Sequence, residues 1–354
     1  MDRVSFIPRP RKPKIKPRRS LRDYRGVLVG FVLVGITGVA ALSFPSVLAI
    51  QLARIQDKVP EEQARPAFPV TVDPERKLIV EDPTVDALFE DGSPLFSASA
   101  ASAPSVFERI ALLIADSSLY QSLGASAIGG SFVSIQPGTR REEVADRFAK
   151  GLRWTNAERK EFLQITKTSP TALTEGMYTP GVYLIEPEMT PAQVHMLIRD
   201  RFEDVIGSRY SNEIAEKVPL IDALTIASLI EKEAAGADDM RLISGIIWNR
   251  LFKGMNLQID ATLQYAKGNQ ANQPWWPKVV PNDKYIKSPY NTYKYEGLPP
   301  APIANPSVAT VLAALNPKNT DCMFYFHDKY GRFHCSVDYK GHVALLKKYY
   351  GQGR

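Results

Sequence analysis

The run Ile221-Asp-Ala-Leu-Thr-Ile-Ala-Ser-Leu-Ile230, closed by Glu231-Lys-Glu233-Ala-Ala-Gly236, constrains this chain more than any other stretch. From Ile221 to Ile230 apolar side chains fall on almost every side of a 3.6-residue period. A helix of that kind has to be surrounded by other elements rather than laid on a surface. Two carboxylates then end the run. At helical spacing Glu231 shares its face with Leu224, Ala227 and Ser228 behind it and with Ala234 and Ala235 ahead. These neighbours are short near the carboxyl group, which predicts room for a ligand there. Burial disfavours the charged form, so such an acid can hold a proton at neutral pH and give it to a leaving group. The plainer alternative is that both glutamates are the solvated end of a core helix.

At 354 residues the chain is long enough for one or two domains with a real core. Residues 1–25 carry ten Lys and Arg against Asp2 and Asp23, so this tail is +8 and the remainder holds −2 of the overall +6. The basic character belongs to the tail, and nothing in the body's charge points to nucleic acid. Gly26–Ala53 follows, 28 residues without a charge. That length suits a membrane-spanning helix and exceeds the apolar region of a typical cleaved signal, which is the alternative. Basic residues before the span predict a cytoplasmic N-terminus and an extracytoplasmic body, periplasmic beyond an inner membrane.

Residues 54–105 shift to Pro-rich, charged and then Ser/Ala-rich composition and read as an extracytoplasmic linker, with short strands at Phe68–Val72 and Lys77–Val80. Phe107–Leu119 reads as a short helix. Phe132–Thr139 then Arg140–Lys150 reads as strand, turn and helix with Thr139 as cap, and Thr155 caps a second helix over Asn156–Thr166. A turn and strand follow from Glu175, then a helix over Thr190–Arg209 capped at Thr190. After the apolar helix, Asp239 is expected to cap Met240–Phe252, which Gly254 ends, and Asp260 to cap Ala261–Lys267.

Residues 269–305 mix Trp275, Trp276, Tyr285, Tyr290, Tyr293 and Tyr295 with seven prolines and show no period. A loop of this length is usually functional or disordered, and its aromatic content argues against disorder. Flat rings match the C–H faces of sugars, though some must simply pack the loop onto the body. Asn305-Pro306 opens a helix through Leu315, and a last helix lies near Gly341–Tyr350. Between them Cys322 and Cys335 flank two short strands around a turn ending at Gly331. An oxidising compartment would give a cross-strand disulfide; otherwise they are two free thiols. His327, His334 and His342 lack the paired spacing of zinc motifs, and no metal or cofactor is expected.

The segments Ala227-Ser-Leu-Ile-Glu231-Lys-Glu233, Ile246-Ile-Trp-Asn249-Arg-Leu, Gly254-Met-Asn-Leu-Gln258-Ile-Asp260, Tyr290-Asn291-Thr292-Tyr293, Gly297-Leu-Pro-Pro300 and Ala313-Ala-Leu-Asn-Pro317 resemble, in order and spacing, the endolytic murein transglycosylase family called MltG or YceG-like. The resemblance is strong from about Leu173 to Lys348 and weak over 132–170. It implies an α+β fold: an N-terminal transmembrane helix, a small LysM-like module over 106–172, and a mainly helical catalytic domain over 173–354. It implies a single-pass enzyme that cuts the MurNAc–GlcNAc bond within peptidoglycan strands. The muramoyl C6 hydroxyl attacks C1 and leaves a 1,6-anhydro end. Glu231 takes the place of the family's catalytic glutamate. Glu233, Asn249, Gln258, Asp260, Tyr290, Asn291 and Tyr293 become candidate substrate-binding residues. Ile259 and Ala261 replace the usual Thr and Pro, Pro180-Gly-Val-Tyr183 replaces Pro-Asp-Thr-Tyr, and Asn316-Pro317 stands for His-Pro.

Three functions therefore compete. In the lytic reading Glu231 protonates the glycosidic oxygen and then takes the C6 hydroxyl proton, working alongside peptidoglycan synthases. A hydrolase would need a second carboxylate, Asp260 or Glu233, and a water. A non-catalytic wall-binding scaffold would use the aromatic loop alone.

Overall fold

The computed structural model describes residues 66–90, 131–168, 172–268 and 273–351. The basic tail, the uncharged span 26–53 and the expected helix 107–119 lie outside them. Among the described residues no helix is long and apolar enough to cross a membrane. The architecture is mixed α+β and mostly helical, with three two-stranded antiparallel sheets among those residues.

Helix α6 (Leu220–Glu233) is the centre: every residue from Ala223 to Ile230 is buried. Each large aliphatic side chain in that run contributes about 1.5–3 kcal/mol by leaving water. Preceding it are β1 (Val72–Asp73), β2 (Leu78–Ile79), α1 (Pro83–Glu90), β3 (Ser131–Ile135), α2 (Arg141–Leu152), α3 (Asn156–Thr168), β4 (Gly181–Ile185), α4 (Pro191–Val205) and α5 (Asn212–Lys217). After it come α7 (Ala237–Phe252), α8 (Asp260–Gly268), α9 (Val308–Leu315), β5 (Phe324–His327), β6 (Phe333–Ser336) and α10 (Tyr339–Tyr350). The central core joins α6 to α7, α8 and α9, whose eight residues are all buried.

A second, smaller core lies under the β3–β4 sheet, where Ser131 pairs with Ile185 and Ile135 with Gly181. Val133, Phe148, Phe162, Tyr183 and Ile198 meet there. The module thus runs past the expected boundary at residue 172, because the strand that completes its sheet arrives only after both helices. Thr155 and Thr190 cap α3 and α4 as expected, each accepting from the third helical N–H at 3.3 Å. Thr139 does not cap α2: its hydroxyl donates to Gln136 O at 2.7 Å and tightens the turn, while Glu143 reaches back to Arg140 N at 2.9 Å.

Part of the stretch read as a linker is packed on the body. Phe68 and Val72 join the central core, Asn316 Nδ2 donates to Pro69 O at 2.8 Å, and Asp86 of α1 pairs with Arg241 and, at 3.1 Å, with Lys318. Helix α7 begins at Ala237, earlier than expected, so Asp239 lies in its first turn and accepts from Ala235 N and Gly236 N at 3.0 and 3.2 Å. Cys322 and Cys335 form a disulfide that ties the approach to β5 onto β6.

Candidate active site

Glu231 lies in the last turn of α6, and its Oε2 is held by the start of α9. Ser307 N, Ser307 Oγ and Thr310 Oγ1 stand 2.9, 2.8 and 2.8 Å from that one oxygen. Ser307 is also the cap of α9, accepting from Thr310 N at 3.3 Å, so the groups that grip the carboxylate are fixed by the helix start itself. Helix N-termini favour negative charge, which adds to the donors' effect. Oε1 has no hydrogen-bond partner among the described residues.

The short neighbours behind Glu231 do something other than expected. Ser228 is fully buried, accepts from Ile303 N at 3.0 Å and donates to Thr225 O at 2.7 Å. Ala227 and Ser228 therefore make room for the chain entering α9 rather than for a ligand. Open space near Glu231 is left to the Ala234–Gly236 end, where exposure returns.

The small module closes on the same place. Its turn carries Gly138 at φ +75°, and a β-carbon there would lie 3.8 Å from Glu231 Cγ and 3.5 Å from Lys232 Nζ. Only glycine takes that conformation without strain and leaves this gap. Asn305, fully buried, bonds the module to the body: its Nδ2 donates to Thr139 O at 2.9 Å, and its Oδ1 accepts from Gly176 N and Tyr178 N. Lys232 Nζ donates to Gly138 O at 3.4 Å and sits 3.7 Å from the centre of the Trp276 ring, whose Nε1 donates to Glu143. Burial pushes the Lys232 ammonium down, opposed by Glu143 and Glu231. The buried Arg140 guanidinium lies 4.1 Å over the Tyr265 ring and donates to Tyr265 O and Trp275 O. The first aromatics of the long loop thus serve packing.

Glu233 follows a different course. Two residues on along a helix is a turn of about 200°, so it leaves α6 on the opposite face. Tyr325 of β5 donates to its Oε2 at 2.9 Å. Burial raises its carboxyl above the usual range and the charge of Asp260 adds to this, against the opposing pull of the Tyr325 bond, His327 and Arg250. Asp260 accepts from Tyr293 OH at 2.6 Å and, among the described residues, from no backbone N–H. It is therefore not the helix cap expected of it; the hydroxyl of Thr262 turns back to Ile259 O instead.

The other expected site residues divide in two. Asn249 donates to Thr320 O at 2.6 Å and Asn291 to Lys284 O and Ile286 O at 3.0 and 2.9 Å, so both hold chain in place. The Tyr290 ring packs 4.7 Å from Tyr265. Gln258 is exposed at φ +52°, with its backbone N donating to Thr292 O at 3.0 Å. His327 meets Asp239 at 2.5 Å and His334 meets Asp328 at 3.0 Å, while His342 packs against Phe324 and Phe326. Sequence reasoning missed Ser307, Thr310, Asn305, Lys232 and Tyr325. The one available signal was Ser307 three residues before Thr310 at a helix start, a pattern that marks a cap without naming what else the hydroxyls hold.

A model of the YceG-like family matches residues 107–348. The chain is 30% identical over 252 residues to the endolytic murein transglycosylase of Bacillus subtilis, covering 65% of this chain and 69% of that protein. It is 32% identical over 154 residues to the endolytic murein transglycosylase of Streptococcus pneumoniae serotype 2, there spanning 44% of this chain but only 28% of the relative. A crystal structure of a yceG-like protein from Listeria monocytogenes superposes with a TM-score of 0.51 at 28% identity, over 64% of this chain and 81% of that one.

Proposed function

This chain belongs to the YceG-like family, and on that premise we propose that it is a peptidoglycan lytic transglycosylase, a carbon–oxygen lyase that cuts MurNAc–GlcNAc bonds within glycan strands. Its relatives in Bacillus subtilis and Streptococcus pneumoniae bear the name endolytic murein transglycosylase, which supports the substrate class and the reaction. The observation that carries the reading is the Glu231 carboxyl group: one oxygen fixed by three donors, the other without a hydrogen-bond partner among the described residues, at the end of a buried helix.

The chemistry follows from that asymmetry. Oε1 carries the proton and delivers it to the glycosidic oxygen as the C1–O bond breaks, leaving Glu231 as carboxylate. The muramoyl C6 hydroxyl then bonds to C1, and its proton returns to Oε1. No water is consumed, and an intramolecular nucleophile gains much of its advantage from proximity. A single glutamate suffices because the nucleophile belongs to the substrate.

The span at 26–53 and the basic residues before it support a membrane anchor with the body outside the cytoplasm, where the disulfide Cys322–Cys335 would persist. Such a body would act beside peptidoglycan synthases, as the family resemblance implies.

One observation favours the hydrolase as second reading: Asp260 is not occupied as a helix cap and lies close enough to Glu233 to raise its carboxyl. Digestion of purified glycan strands in ¹⁸O-labelled water separates the two. The lyase gives unlabelled 1,6-anhydro ends by mass spectrometry, whereas labelled reducing ends would establish hydrolysis and end the lytic reading.

A further inference from the structure

We propose that the Thr310 hydroxyl is a two-position hydrogen-bond donor that follows the charge of Glu231, turning to the carboxylate when it forms and away when the acid is restored. The proposal rests on Glu231 being the proton carrier of the reading above. Thr310 is fully buried, so its hydroxyl has no water to turn to. Its one proton has two near acceptors, Glu231 Oε2 at 2.8 Å and Ser307 O at 2.9 Å, with Ser307 Oγ farther off at 3.2 Å. A rotation about one bond moves the proton between them.

Hydrogen-bond capacity couples that rotation to catalysis. Oε2 meets three donors, from Ser307 N, Ser307 Oγ and Thr310 Oγ1. When Glu231 is neutral with its proton on Oε1, Oε2 is a carbonyl oxygen with two lone pairs, which Ser307 N and Ser307 Oγ fill. Thr310 then donates to Ser307 O, and no buried group goes unsatisfied. When Glu231 gives up its proton, Oε2 takes on negative charge and a third donor becomes favourable, since bonds to an ionised acceptor are about twice as strong as neutral ones. Ser307 brings no such reserve: its N–H and its hydroxyl already donate to Oε2, while its oxygen accepts from Thr310 N as the cap of α9. The arrangement stabilises the carboxylate after bond cleavage more than the acid before it, which is the difference that raises a rate.

Few other charges compete for this role. Lys232 is the charged neighbour on α6, the Gln136–Thr139 turn and the start of α9 bring no ionisable side chain, and Glu143 of the module acts on Lys232.

The test compares Thr310→Val, which keeps the shape and removes the hydroxyl, with Thr310→Ser, which keeps the hydroxyl, in the full-length protein acting on purified glycan strands. For the valine variant kcat is expected to fall about 10-fold with KM within about twofold, as for one lost bond to a developing charge. The alkaline limb of its kcat/KM profile should move up by about one pH unit, because the carboxylate has lost a donor. Serine should restore both. A folded valine variant whose alkaline limb coincides with the wild type overturns the proposal and leaves Thr310 a packing residue. Should valine prevent folding, Thr310→Ala carries the same comparison. Glu231→Gln, run in parallel, keeps the two questions apart: activity surviving there removes Glu231 as the proton carrier, whereas its loss beside an unmoved valine profile removes the switch alone.

Discussion

The last turn of α6 presents two carboxylates in two kinds of surroundings. Glu231 faces the start of α9, where one oxygen accepts from a backbone N–H and two hydroxyls at 2.8–2.9 Å. Glu233 leaves on the opposite face, where one phenol, Tyr325, donates to it and Asp260 opposes its charge. On the first side the protein sets three donors on one carboxyl oxygen. On the second it has buried a carboxyl group with little to hold its charge, which favours the neutral acid. Two glutamates of one sequence motif thus lie in different surroundings, and what separates them is which distant segment meets each face.

The comparison breaks if the two glutamates are interchangeable, so substitution at Glu231 has the largest expected effect. Glu231→Gln is close to isosteric, and its amide oxygen can still accept from Ser307 and Thr310. The fold and glycan binding should persist while kcat falls by about 10²–10⁴-fold, the usual contribution of a general acid–base. Turnover assays on purified strands, with thermal melts as control, check this. A glutamine variant that keeps most of its activity would shift the role to Glu233 or Asp260.

A third carboxyl group sharpens what burial with donors on one oxygen alone does. Glu175 lies at the joint between module and body, accepting from Arg141 N at 2.8 Å on Oε1, while Oε2 is buried without a hydrogen-bond partner among the described residues. Burial, and then the charge of Glu142, push it from the ordinary 4.5 to about 8. Between those values the folded protein keeps a proton that the unfolded chain has released. Stability is therefore full below about pH 4.5 and falls as pH rises towards 8, at about 1.4 kcal/mol per pH unit, on the order of 3–5 kcal/mol in all. Glu175→Gln stays neutral throughout and should remove that part of the slope. Urea unfolding of both proteins at pH 5 and pH 9 gives the difference directly; parallel losses would mean that Glu175 ionises at no cost.

The features that could be read in advance are local ones. The all-round burial of α6 is written in Ile221–Ile230, the caps at Thr155 and Thr190 in their first turns, and the hairpin between Cys322 and Cys335, though not their disulfide, in 14 consecutive residues. The grip on Glu231 was not legible, because Ser307 and Thr310 lie 76 and 79 positions away and look like ordinary cap residues. Asp260 misled for the same reason: a local rule assigns it to its own helix, while Tyr293, 33 positions on, claims its carboxylate. The docking of 66–90 was hidden by composition, since proline and charge read as a spacer even where Phe68 and Val72 complete a core. Local propensity is a weak guide wherever tertiary partners compete for the same group.

The smallest effect expected is on the Glu233 side, and it tests whether that face is structural. If Glu233 works mainly as a neutral acid buried against Tyr325, Glu233→Gln should leave kcat within about 10-fold of wild type, well short of the loss expected from a general acid–base residue. Its raised carboxyl means that the folded state holds the proton longer than the unfolded chain, so stability falls as pH rises above the ordinary value of 4.5. Glutamine should flatten that fall. Tyr325→Phe should do the reverse: the phenol opposes the upward shift, and without it the carboxylate form loses its donor. The expected cost is about 1.5–3 kcal/mol, the range for a hydrogen bond to a charged group, and it should grow with pH. Urea unfolding of the two variants from pH 5 to 8 reads both signs. A tyrosine variant whose deficit shrinks as pH rises would mean that Tyr325 serves the neutral acid, and a glutamine variant that loses turnover as Glu231→Gln does would make both faces of the helix end catalytic.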